Sequence, residues 1–242
     1  MRKSSVGNEG LSELEASKTR VAQEAVKLVK DDMIVGLGSG STANIFIAEL
    51  GKRIIDEELN IFGIPTSFES RMLAIQYGIP LVSLDQCDEI DIAIDGADEV
   101  DKKTLALIKG GGGCHTQEKI IDYYAKEFVV IVDENKVVDN LGEKMPVPLE
   151  VVPFAYSTVL NELLKRNSAP SIRMASKKMG PIITDNGNMI IDVFIDIKDP
   201  EETEKELNNI PGVVENGVFT KVDKVLVGNP KKVKTLKNKN KK

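Results

Sequence analysis

With one histidine and two cysteines, this 242-residue chain lacks the raw material for several kinds of functional centre. A lone His115 excludes a multi-histidine metal site. Cys87 and Cys114 form neither a metal-type pair nor a disulfide framework, so a reducing, cytoplasmic setting is the default. No apolar run is long enough to cross a membrane, and residues 1–10 lack the apolar segment of a signal peptide. No glycine-rich stretch ends in the Gly-Lys-Ser/Thr of a nucleotide P-loop. No internal repeat is visible.

What remains is an ordinary globular composition, 41% apolar and 29% charged, with enough chain for a sizeable core in one or two domains. The charge is uneven. The net value is −6, yet residues 231–242 carry seven Lys and no acid. Without them 25 basic residues face 38 acidic ones, a balance of −13. The Lys/Asn-rich tail is expected to be disordered. Beside so acidic a body it reads as a solubilising end rather than a nucleic-acid contact.

Apolar residues at Leu14, Val21, Ala22, Ala25, Val26 and Val29 predict one face of a helix over residues 11–30. Short strands are expected at Met33–Gly36, Asn60–Pro65, Ile79–Ser83, Glu89–Asp95 and Glu127–Asp133. Helices are expected from about Ala43 to between Leu50 and Ile55, over Phe68–Tyr77, and from about Thr116. This alternation predicts a Rossmann-like parallel sheet flanked by helices, with ligands at the carboxyl edge of the strands. The pattern changes near Met145-Pro-Val-Pro148. A strand at Val151-Val152, a helix around Val159–Leu164, a hairpin over Ile182–Phe194 turning at Asn186-Gly187, a helix capped by Asp199-Pro200 and a strand over Gly212–Phe219 follow. They predict an inserted α+β unit of ferredoxin-like type. Val222–Gly228 then returns as a strand to the first domain. The expected division is 1–145 plus 221–242 for the α/β domain, with 231–242 as tail, and 146–220 for a smaller lid or oligomerisation domain.

Four stretches carry candidate chemistry. Lys109-Gly110-Gly111-Gly112-Gly113, with Glu118 following, combines a cation, an amide-lined loop and a carboxylate. It suits an anionic substrate with proton transfer, or is a glycine-rich surface loop with solvated charges. Gly36-Leu-Gly-Ser39-Gly40-Ser41-Thr42 presents amides and hydroxyls at a helix N-terminus, a phosphate site or a tight strand–helix turn. It misses the dinucleotide fingerprint by one residue, and Thr66-Ser67 stand where a ribose-binding acid would follow strand two. Asp95-Gly96-Ala97-Asp98 ends strand four. Its carboxylates suit sugar hydroxyls, acid–base work or Mg²⁺, or simply cap a turn. Lys136 follows strand five as a phosphate cation or a surface lysine. Glu99 and Asp101 are expected to be solvated, and Cys114 and His115 to shape the loop rather than act as a nucleophilic pair.

In this order and spacing, Gly36–Ala43, Ile94–Val100, Ile108–Gly113, Glu118–Ile120, Asp133–Lys136 and Ile183–Asn188 resemble ribose-5-phosphate isomerase, type A, over about residues 12–235. The Cys114-His-Thr-Gln-Glu118 form is similar to the archaeal branch. The resemblance implies interconversion of ribose 5-phosphate and ribulose 5-phosphate without a metal or other cofactor. It implies Glu118 as base, with Asp95, Asp98 and Lys109 on the sugar and its developing charge. Ser39, Gly40, Ser41, Thr42 and Lys136 would form the phosphate end; Gly96, Ala97 and Gly110–Gly112 would line the substrate. Gln117 departs from the family's usual Arg, and Ser39 from its Thr. The implied partner is a small sugar phosphate, with no nucleic acid or membrane, in a homodimer or homotetramer. The alternative is a non-catalytic sugar-phosphate-sensing module on a similar fold.

Overall fold

The apolar spacing that begins at Leu14 becomes one face of helix α1 (Val6–Val26), which buries Val21, Ala22, Ala25 and Val26. The computed structural model describes residues 6–166 and 168–238. They divide into two compact units: Met1–Gly96, Ile121–Lys136 and Asp223–Lys242 in the first, Ala97–Ile120 and Val137–Val222 in the second.

The first unit continues from α1 through strand β1 (Ile34–Leu37), helix α2 (Ser41–Glu57), β2 (Phe62–Pro65), α3 (Phe68–Gln76) and β3 (Ile90–Asp95). After β4 (Glu99–Asp101) and β5 (Leu107–Ile108) of the second unit comes helix α4 (His115–Tyr124). The unit boundary falls inside α4, after Ile120. Strand β6 (Ala125–Asp133) belongs to the first unit. Near the C-terminus, β13 (Lys224–Gly228) and β14 (Val233–Lys237) complete its sheet. The sheet order is β14-β13-β6-β3-β1-β2, parallel except for the β13–β14 pair. Strand order therefore reverses on either side of the β1/β3 neighbours. In open α/β sheets such a reversal opens a crevice beyond the strand ends, where ligands bind. Phe46, Ile47 and Leu50 of α2 pack on Val35, Leu37 and Ile94 to fill the core beneath it. Truncating Phe46, Ile47 or Leu50 to Ala typically costs about 2–5 kcal/mol.

Two expectations for this unit need correction. Ile79–Ser83 makes a single bridge, Gly63 to Leu81, rather than a strand; Pro80 has no N–H to extend a ladder. The tail was expected to be disordered from 231, but Val233–Lys237 form β14. Val233 packs against the core while Lys234 and Lys237 stay exposed. Lysines on an edge strand discourage further pairing. Residues 239–242 lie outside the described residues.

The second unit holds two sheets. After β7 (Val137–Val138) come β8 (Val147–Val151), helix α5 (Tyr156–Lys165), β9 (Ala169–Ile172), β10 (Met189–Phe194), helix α6 (Pro200–Asn208), β11 (Val213–Asn216) and β12 (Val218–Phe219). Strands β11-β8-β10-β9 pair antiparallel in the split βαβ, ferredoxin-like arrangement. Asp199 caps α6 by accepting from the Glu201 and Glu202 amides, with Pro200 at the first helical position, as its spacing predicted. The turn at Asn186-Gly187 also forms, with Gly187 N–H donating to the Thr184 carbonyl at 2.9 Å. The arm before it is only a bridge, Ile183 to Met189. The partners of β10 are instead β8, over Met189–Val193, and β9, over Ile191–Phe194. The second sheet, β12-β5-β4-β7, consists of strands two or three residues long. It ties residues 99–108 to 137–138 and 218–219, so the glycine run groups with the smaller unit.

Candidate active site

In the first unit the candidate residues collect where β1 and β3 end. Gly38 N–H donates to the Ile94 carbonyl at 3.0 Å, drawing the two strand ends together. A Cβ on Gly38 would lie 2.2 Å from Asp95 Oδ1, so only glycine fits. Asp95 is fully buried. Its Oδ1 accepts from Ser39 N–H at 2.9 Å and Gly96 N–H at 2.6 Å. Gly40 caps α2 at φ 101°, a left-handed value that favours glycine, and no side chain caps the helix. The first-turn amides that follow, from Ser41 onward, have no intrahelical carbonyl. No acidic residue lies in that turn. An uncapped helix start with its positive dipole end suits an anion. Lys136, half-buried, closes the short 3₁₀ turn after β6.

The Ser39 hydroxyl is not simply presented to a ligand. It lies 2.8 Å from Thr66 Oγ1 and 2.6 Å from Ser67 Oγ. Thr66 donates onward to the Leu37 carbonyl, and Ser67 caps α3 through a reciprocal pair with Ser70. This hydroxyl chain joins the ends of β1 and β2. Its signal in the sequence was the Thr66-Ser67 pair, noted above only for the acid it replaces.

In the second unit Lys109 and Glu118, nine residues apart in the chain, come together. Lys109 Nζ lies 3.3 Å from Glu118 Oε2, and their side chains are 2% and 6% exposed. Lys109 also sits 5.4 Å over the Phe219 ring. Glu118 stands in the first turn of α4, its N–H donating to the Cys114 carbonyl at 3.1 Å. Asp98 accepts from Gly111 N–H at 2.7 Å, and Gly113 N–H turns back to the Gly110 carbonyl at 3.0 Å. The run therefore spends two of its four amides internally and offers fewer to a ligand than four adjacent glycines suggest. Arg173, unremarked in the sequence, donates to the Gly110 and Gly111 carbonyls at 2.8 and 3.0 Å, anchored by Asp192.

His115 is a packing residue, as expected. It is fully buried, with Nε2 3.3 Å from the Glu215 carbonyl. Burial pushes its imidazole down to about 4 despite the opposing pull of the Glu150 charge, so it is neutral at pH 7. Glu99 and Asp101 are buried, not solvated as expected. Glu99 accepts from the amides of Gly142, Lys144 and Met145, and Asp101 from those of Lys103 and Thr104. Backbone loops that need a carboxylate acceptor do not announce themselves in sequence. Among the described residues no group of three or more His, Cys, Asp or Glu could hold a metal ion, and no helix is long and apolar enough to cross a membrane.

The profile of the family ribose 5-phosphate isomerase A (phosphoriboisomerase A) matches residues 62–232. The ribose-5-phosphate isomerase A of Methanococcus aeolicus is 75% identical over 91% of this chain and 94% of its own length. That of Thermococcus kodakarensis is 53% identical over 92% of this chain and 98% of its own. The solved ribose 5-phosphate isomerase A of Methanocaldococcus jannaschii superposes with a TM-score of 0.91 at 66% identity, covering 92% of this chain and 99% of that one. A D-ribose-5-phosphate isomerase in complex with phospho-erythronic acid has a TM-score of 0.90 at 51% identity over 93% and 99%. Profile, coverage and fold agree, and the chain belongs to the ribose 5-phosphate isomerase A family.

Proposed function

We propose that the chain interconverts D-ribose 5-phosphate and D-ribulose 5-phosphate through an enediolate, with Glu118 as the proton-transferring base. The observation that carries this reading is the buried Lys109–Glu118 pair, a cation and a carboxylate that flank the glycine run and lie 3.3 Å apart. Glu118 takes the proton from C2 of the open-chain aldose. The C–H electron pair becomes the C1=C2 bond, and the carbonyl pair moves onto O1. Lys109 stabilises that oxyanion, a role commonly worth about 3–4 kcal/mol. Glu118 returns the proton to C1, and the O2 proton passes to O1 as the C2 carbonyl forms.

Asp98, steadied by the Gly111 amide, and Asp95 accept from sugar hydroxyls, and Asp95 assists ring opening. Gly96, Ala97 and Gly110–Gly112 bring backbone to the substrate. Ser39, Gly40, Ser41, Thr42 and Lys136 take the phosphate, whose binding energy positions carbons remote from it. The ligand of one relative, a phosphorylated sugar acid, has the anionic end and phosphate that such a site would favour. A homodimer or homotetramer in the cytoplasm belongs to the same proposal.

The test is coupled detection of ribulose 5-phosphate, with and without EDTA. Activity is expected to survive EDTA. Glu118→Gln is expected to fold and bind sugar phosphate but lose nearly all turnover. Near-native turnover in that variant would remove Glu118 from the mechanism and leave a sensing module, which needs no base.

A further inference from the structure

Glu150 is an anomaly. It sits on β8, between β10 and β11 in the ferredoxin-like sheet, and is fully buried. Among the described residues no Lys or Arg pairs with it. Four neutral side chains surround it instead. Thr116 Oγ1 donates to Oε2 at 2.6 Å and Thr184 Oγ1 to Oε1 at 2.9 Å. The Asn186 and Asn188 amides donate to Oε1 at 3.0 and 2.7 Å.

A charge in this position is not what stability alone selects, since well-packed apolar side chains commonly serve a core as well or better. What a carboxylate offers is several acceptor sites in a fixed plane. Here those sites tie two segments to β8 at once, the 184–188 turn and the first turn of α4. The turn holds that helix a second time, because Gln117 Nε2 donates to Asn186 Oδ1 at 2.7 Å. Thr116 and Gln117 are the two residues immediately before Glu118. The negative charge also lies beside a helix N-terminus, where the dipole favours it.

We infer that Glu150 is a positioning residue for the isomerisation: through Thr116 it sets the rotation of the first turn of α4, and so the aim of the Glu118 carboxylate. The inference rests on the proposal that Glu118 is the base. It gives Asn186, far from Glu118 in the chain, a part in the reaction through its hydrogen bond to Gln117.

The experiment compares Thr116→Val, Thr116→Ser and Thr184→Val, with Glu118→Gln alongside. Thr116→Val and Thr184→Val each remove one hydroxyl from Glu150, but only the first releases α4. Thr116→Val is expected to lower kcat by about 10- to 100-fold, the scale of a small misplacement of a reacting group, with KM within about twofold. Thr116→Ser restores kcat, and Thr184→Val keeps most of it even where thermal stability falls. Equal kcat in the two valine variants would overturn the inference, because a merely structural role treats the two hydroxyls alike. Native kcat in Thr116→Val with an inactive Glu118→Gln would overturn it and leave the base intact. An active Glu118→Gln would overturn both readings.

Discussion

Alanine placed in turn at Gly110, Gly111, Gly112 and Gly113 separates four residues that are identical in sequence. Gly110 has φ 100°, and an added Cβ would lie 2.7 Å from His115 Nδ1 and 2.7 Å from Pro148 Cγ. The left-handed backbone costs about 1–2 kcal/mol and overpacking about 1–3. Gly110→Ala should therefore lose about 2–5 kcal/mol, a large part of a typical stability of about 5–15. Gly112 has no neighbour within 4 Å of its Cβ position and no left-handed φ, so Gly112→Ala should stay within about 0.5 kcal/mol. At Gly111 the Cβ would meet the end of a flexible side chain, Asp98 Oδ1 at 2.8 Å. Gly111→Ala should move that carboxylate cheaply, sparing stability and lowering kcat/KM. Gly113, at φ 81°, should fall between Gly110 and Gly112. Urea unfolding and initial rates on the same samples read both quantities. With a mid-range slope of about 2 kcal/mol/M, Gly110→Ala lowers the midpoint by about 1–2.5 M. Equal losses at Gly110 and Gly112 would refute the reasoning, because the run would then be a free loop rather than one braced by His115, Pro148 and Arg173.

Lys136→Ala should raise KM with little change in kcat; an unchanged KM in steady-state assays would move the phosphate elsewhere. Lys109→Met should lower kcat by about 10²–10³-fold, the loss typical of a missing oxyanion donor, and single-turnover rates would expose a smaller effect. His115 titrates near 6.5 when unfolded and about 4 when folded. Between those values the unfolded chain binds the extra proton, so stability falls as pH falls through this window. About 3 kcal/mol is lost by pH 4, in the face of Glu150, Glu215, Lys119 and Arg173 nearby. Denaturation from pH 7 to 4 should show this slope in the native protein and lose it in His115→Phe.

Much of this was legible in the chain. The apolar period of α1, the strand–helix alternation through β6, the Asp199-Pro200 cap and the Asn186-Gly187 turn are local signals, set by side-chain spacing and backbone preference. Gly38 was legible as a turn residue, although the carboxylate that excludes any larger side chain there lies on another strand. Strands β4, β5 and β7 left no trace, because two or three residues cannot display a period, and β12 was legible only as the end of one strand over Gly212–Phe219. Glu99 and Asp101 read as surface charges, because a carboxylate that caps a backbone loop looks like any other acid.

The sequence by itself determined which chemistry was on offer: a single histidine, which excludes a multi-histidine metal site, a base and a cation flanking a glycine run, and amides at a helix start. Only the tertiary structure decided how that chemistry is arranged. It joined Lys109 to Glu118, spent the Gly111 and Gly113 amides internally, and set Glu150 beneath the first turn of α4. Each of these depends on pairing between segments distant in the chain, and a polar side chain acquires its partner only when burial leaves it no water to choose instead.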